Sequence, residues 1–164
     1  MSTRAIKFLS QKGIYFKVKE YEHEEKGARF AAEAMGFPLE KTIKTLVVDL
    51  GQKGYILVLM PGDNNIDLKK LAKAFSVKRA AMADTSTAER LTGYLVGGIS
   101  PFGTKQNLPV FMEAGLLEFD KVAINAGKRG VMLVLDPKDI LQAVNGDILK
   151  DNYHVNPVYK PRAY

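Results

Sequence analysis

Two strand-length apolar runs, residues 42–50 and 55–60, flank a short glycine-bearing turn at 51–54, and they constrain the fold more than any other feature. Joined this way they read as a hairpin of two strands, and that commits the chain to a sheet. The rest of the sequence is laid around it. Ser2 or Thr3 can cap a first helix with Ala5, Ile6 and Leu9 on one face and Gly13 at its end. Residues 14–21 alternate, with Ile14, Phe16 and Val18 facing one way and Lys17 and Lys19 the other, as in a half-buried strand. A polar turn at 23–27 leads to a short helix at 28–35, closed by Gly36 and Pro38. Asp67 caps a helix carrying Leu68, Leu71 and Ala72, residues 77–82 form a short strand, and Asp84 caps a helix ending before Gly93. Strands follow at 108–112, 121–125 and 131–135, the last two joined through residues 126–130. Asp136 caps a final helix with Pro137 at its first position. Strands outnumber helices and several are joined by tight turns. The expected class is α+β, with a mixed, barrel-like sheet flanked by helices. The 164 residues suit one domain over residues 1–150 with a polar tail at 151–164, and the chain from Asn145 onward is polar and expected to be loose.

Composition narrows the chemistry. There is no cysteine, which removes disulfides, thiolate metal sites and a cysteine nucleophile. The two histidines, His23 and His154, are far apart, and a histidine zinc site needs more ligands at closer spacing. No Gly-x-Ser-x-Gly element supports a serine triad. Catalysis would have to rest on lysine, hydroxyls, backbone amides and the substrate itself. No run approaches the ~18 apolar residues that span a bilayer, and the first residues lack the apolar core of a signal peptide. A cytoplasmic protein with no membrane association is expected. The net charge of +6 fits a polyanionic partner and fits equally a merely soluble surface.

Three features could carry function, each with a plainer alternative. Lys44 shares parity with Leu46, Val48 and Leu50 on its strand. It is either a strand-end lysine that snorkels to water or a cation fixed at the mouth of a cavity. Gly97-Gly98-Ile99-Ser100-Pro101 is either a tight structural turn or a loop whose bare amides hold an oxyanion or phosphate. It matches neither a Walker motif nor a dinucleotide fingerprint. Asn125-Ala126-Gly127-Lys128-Arg129-Gly130 is either a solvated hairpin tip or a phosphate-binding one. Tyr21 and Phe30 are either core or stacking surfaces for an unpaired base.

Taken together, several stretches resemble the YbaK/EbsC family of trans-editing aminoacyl-tRNA deacylases, related to the editing domain of bacterial prolyl-tRNA synthetases. They are Tyr21-Glu22-His23, Lys44-Thr45-Leu46-Val47-Val48, Asp67 to Ala74, Met82-Ala83-Asp84, Thr92 to Pro101, and Gly127-Lys128-Arg129-Gly130. The run from Thr92 to Pro101 is the most specific. The resemblance implies a pocket for the 3′-terminal adenosine of aminoacyl-tRNA, with no metal and no cofactor. Lys44 and Gly98 would act on the ester. Tyr21, Phe30, Thr45, Gly97, Ile99, Ser100, Pro101, Asn125, Gly127, Lys128 and Arg129 would bind substrate. Asn125 stands where the cysteine-editing branch usually carries serine. The implied activity is clearance of Cys-tRNA(Pro) by substrate-assisted cleavage, with prolyl-tRNA synthetase as a partner. The alternatives are a deacylase for another small amino acid such as alanine, a non-catalytic tRNA- or nucleotide-binding module, and a hydrolase of simple esters or lactones.

Overall fold

The computed structural model describes residues 2–22, 27–150 and, for the backbone, 154–155. Its elements are α1 (Arg4–Gln11), β1 (Lys17–Glu20), α2 (Ala28–Met35), β2 (Ile43–Asp49), β3 (Tyr55–Pro61), β4 (Asn65–Ile66), α3 (Leu68–Ala74), β5 (Ala81–Met82) and α4 (Thr85–Thr92). They continue with β6 (Val110–Glu113), β7 (Val122–Lys128), β8 (Val131–Leu135), α5 (Pro137–Val144), β9 (Asp147–Leu149) and β10 (His154–Val155).

The predicted hairpin is the centre of the larger sheet. β2 and β3 pair antiparallel from Ile43↔Pro61 to Asp49↔Tyr55. This sheet has the order β5-β2-β3-β6-β9, with β6 and β9 added in parallel. A smaller antiparallel sheet has the order β1-β8-β7. Strand alternation sends Ile43 and Val47 into one apolar cluster with Leu9, Phe102 and Leu133. Leu46, Val48 and Leu50 enter a second cluster with Leu71 and Ala72 of α3. Val47, Leu57 and Leu59 are fully buried, each contributing about 1.5–3 kcal/mol by the area removed from water. The caps behave as the side-chain chemistry requires. Thr3, Asp67, Asp84 and Asp136 each accept a hydrogen bond from a backbone amide of the helix they open.

The mixed α+β class holds, but the sheets do not close into a barrel. Among the described residues one bridge, Thr42↔Ala123, links the two larger sheets. β5 covers β2 only at Val48 and Asp49, so the edge of β2 before them stays open. Other departures have local causes. β1 is shorter than the alternation suggests and its side chains are exposed, because it is an edge strand; Ile14 and Phe16 reach the core from the segment before it. Residues 77–80 are not strand, because Ser76 takes a left-handed conformation with φ 56 and the chain rejoins β2 only at Ala81. β7 continues to Lys128 through a bulge after Asn125, so the join to β8 is shorter than the expected 126–130 loop. The polar segment after Asn145 forms β9, anchored by buried Leu149. Of the expected loose tail, His154 and Val155 pair with β4, and its remaining residues, like His23, lie outside the described residues.

Candidate functional site

The open edge of β2 is one wall of a narrow cleft. The cleft gathers Tyr21, Lys44, Thr45, Gly97, Ile99 and Asn125 from four separate segments. Lys44 and Thr45 point to opposite faces of their strand, yet both reach the cleft because it opens at the strand's edge.

The hydrogen bonding of that edge can be worked out from its neighbours. The Ala83 amide donates to the Val47 carbonyl at 2.9 Å, and the Leu57 amide donates to the Pro109 carbonyl at 2.8 Å. Val47 and Leu57 face each other in the register and turn their polar backbone groups apart. Two residues earlier, Thr45 and its partner Leu59 must do the same. The Thr45 amide and carbonyl therefore face the cleft. Its side chain is 7% exposed, and Oγ1 is buried without a hydrogen-bond partner among the described residues. A buried hydroxyl left unpaired costs about 1–3 kcal/mol, so this group is ready for a ligand atom.

Lys44 Nζ donates to the Asn64 carbonyl and, at 3.3 Å, to Asn65 Oδ1. Burial lowers its pKa from 10.5 to about 8, with Asp63 opposing that shift and Arg29 adding to it. The lysine is thus a partly desolvated cation at the cleft wall, not a side chain reaching free solvent. Burial also raises the Tyr21 pKa, keeping this phenol neutral. Its ring lies 6.1 Å from that of Phe30, tilted by 56°. Phe30 supports Tyr21 and does not itself line the cleft.

The opposite wall is the loop after α4. Tyr94 Oη donates to the Phe102 carbonyl, drawing the two ends of the loop together, and the Val96 amide donates to Glu89 Oε2 at 2.8 Å. Gly97 and Ile99 line the cleft, whereas Gly98, Ser100 and Pro101 lie behind it. The Gly98 amide, the expected oxyanion donor, donates to the Leu95 carbonyl at 2.9 Å and is committed within the loop. Gly98 instead permits close packing: a Cβ there would come within 3.0 Å of the Arg129 nitrogen. The amides of Gly97 and Ile99 make no hydrogen bond among the described residues.

Asn125 ties this loop to the hairpin. Nδ2 donates to the Gly97 carbonyl at 3.0 Å, while Oδ1 accepts from the amides of Gly127 at 2.8 Å and Lys128 at 3.1 Å. Gly127, with φ +93, packs beneath the Tyr94 ring. Gly127, Lys128 and Arg129 do not line the cleft; they form the tip behind the loop. Sequence reasoning missed Gly27, Ala28, Ala31, Ile43, Leu46 and Met132, which complete the lining. One signal was present: Ala28 and Ala31 stand three apart on α2 and leave room along one helix face.

A lysine and two backbone amides without hydrogen-bond partners among the described residues, set around one cleft, suit an activated carbonyl or a phosphate. Comparison with known proteins gives this arrangement its family. Residues 23–143 match the aminoacyl-tRNA editing domain, and the chain belongs to that family, as the motifs implied. EbsC of Enterococcus faecalis, named as a candidate Cys-tRNA(Pro)/Cys-tRNA(Cys) deacylase, is 34% identical, with 88% of this chain and 89% of that protein covered. ProXp-y of Escherichia coli K12, named a multifunctional Ser/Thr-tRNA deacylase, is 30% identical, with 89% of each covered. A crystal structure described as a candidate trans-editing enzyme for prolyl-tRNA synthetase superposes with a TM-score of 0.82 at 27% identity, covering 92% of this chain and 97% of that one.

Proposed function

We propose that the protein is an aminoacyl-tRNA deacylase that clears mischarged tRNA in trans, with Cys-tRNA(Pro) as its first substrate. The observation that carries the reading is that Lys44 lines the same cleft as Gly97 and Ile99. The terminal adenosine would lie against Tyr21, with Lys44 near its phosphate or ester. The amides of Gly97 and Ile99 would receive the negative charge that develops on the ester carbonyl. Loss of one such donor typically costs ~2.7–4 kcal/mol in the barrier.

No side chain in the cleft is an evident general base, which suits a substrate that supplies its own nucleophile. The cysteine thiol attacks its own carbonyl carbon and the carbon–oxygen ester bond breaks. The ribose oxygen leaves with the thiol proton, and a cyclic thiolactone is released. Prolyl-tRNA synthetase, the enzyme that would generate such a mischarged tRNA, is the partner this reading favours.

A second reading has its own support. Thr45 Oγ1 is buried and unpartnered among the described residues, and a substrate hydroxyl pairs with it better than a thiol does. Serine or threonine esters, the substrates in the name of the E. coli relative, would then be preferred. A panel of preformed aminoacyl-tRNAs, followed for ester loss and released product, tests both. Cys-tRNA(Pro) should be cleared fastest, giving thiolactone. Faster release of serine or threonine selects the second reading. Retention of every ester, with tRNA still bound, leaves only a binding module.

A further inference from the structure

From the cleft, we infer that a basic track along α3, ending in a second cavity, holds the phosphodiester backbone of the tRNA acceptor strand. This rests on the tRNA-editing reading above. The segment from Leu68 to Ala83 carries Lys69, Lys70, Lys73, Lys78 and Arg79 and no acidic residue. Its five positive charges compare with a net charge of +6 for the whole chain. All five side chains are exposed, so none is consumed in the core.

The fold turns this composition into a path. Lys44 Nζ is held at Asn64 and Asn65, directly before the Asp67 cap of α3. α3 packs through Leu71 and Ala72 on the face of β2 that carries Leu46 and Val48, the face Lys44 shares. The helix end then delivers Ser76, Lys78 and Arg79 to a hollow of ≈ 520 Å³ at the far end of β2. Lys53 enters the same hollow from the β2–β3 turn, with Nζ fixed on the Phe75 carbonyl at 2.7 Å. The single carboxylate in the lining, Asp49, is occupied by the Gly51 amide at 2.8 Å. Lys44 and Asp49 are five positions apart on one strand, or about 17 Å at ~3.3 Å per residue. At ~3.4 Å per stacked nucleotide, this spans about five nucleotides. That is enough to reach from a bound terminal adenosine, along the unpaired 3′ end, to the start of the acceptor stem. The Lys128–Arg129 tip is not needed for this contact.

The test compares Lys78→Gln/Arg79→Gln with a control, Lys7→Gln/Lys105→Gln. The control removes the same charge from segments packed on the other face of the large sheet. Binding of deacylated tRNA is measured against salt concentration, and ester cleavage is measured on full aminoacyl-tRNA and on 3′-aminoacyl-adenosine. The track variant should bind tRNA on the order of tenfold more weakly, with the log–log salt slope reduced by about 1–2. Its kcat/KM on aminoacyl-tRNA should fall in step, while cleavage of aminoacyl-adenosine stays at the wild-type rate. Unchanged tRNA affinity, or an equal loss in the control, overturns the track. If the wild type cleaves neither ester, the editing reading fails, and the binding measurements still decide the track.

Discussion

Lys44 sits where β2 loses its neighbour, with its ammonium hydrogen-bonded to Asn64 and Asn65 and its pKa lowered by burial to about 8. Folding therefore disfavours the charged form, and the cost is present below pH 8 and disappears as pH rises from about 8 to 10.5. Lys44→Met should raise stability at pH 7 by about 1–3 kcal/mol, a gain that shrinks by pH 10. Denaturant melts at the two pH values check this, and a loss of stability at pH 7 would contradict it. The same titration should appear in catalysis. The ratio of wild-type to Lys44→Ala rates, in which the pH dependence of the substrate cancels, should be constant below pH 8 and fall above it. Gly98 makes a different point. Its amide is committed to Leu95 and its missing Cβ lets the hairpin approach. Gly98→Ala should cost about 1–3 kcal/mol in stability by overpacking, read as a lowered unfolding midpoint; an unchanged midpoint would show that the hairpin can yield.

Between elements, the geometry of the site depends on how the loop after α4 is fixed to the β7–β8 hairpin. Asn125 makes that connection through both ends of its amide: one donated bond to Gly97, two accepted from Gly127 and Lys128. Asn125→Asp keeps the acceptor side and removes the donor, setting a carboxylate against the Gly97 carbonyl. The variant should be destabilised by about 1–3 kcal/mol and, in its folded form, cleave ester on the order of tenfold more slowly because the Gly97–Ile99 loop is no longer held. Wild-type turnover would remove Asn125 from the account. The sequence allowed much of this level to be read in advance. The 42–60 hairpin, the Ala28–Met35 helix and the Asp-capped helices followed from periodicity and capping. β9 did not, since two of its three residues are exposed and its pairing with distant β6 leaves no local pattern. Likewise, nothing in Gly97-Gly98-Ile99 says which amide is spent within the loop. That is decided by a turn back to Leu95, which takes up the Gly98 amide.

At the scale of the molecule, the cleft exists because the two larger sheets meet at one bridge and do not close. A closed barrel would have covered the edge of β2, burying Thr45's backbone groups in a ladder and removing the space opposite Gly97. The open seam is the place proposed for the ligand end, and α3 with the segment after it carries five cations and no acidic residue. The most direct measurement is single-turnover cleavage of Cys-tRNA(Pro) at pH 7 by wild-type protein and by Lys44→Ala, with the fold of each verified by its unfolding midpoint. A loss of roughly 10²–10³-fold in the variant, with the fold intact, is the predicted result. Cleavage within a few-fold of wild type would contradict the claim that this ammonium and the facing glycine loop form one catalytic site.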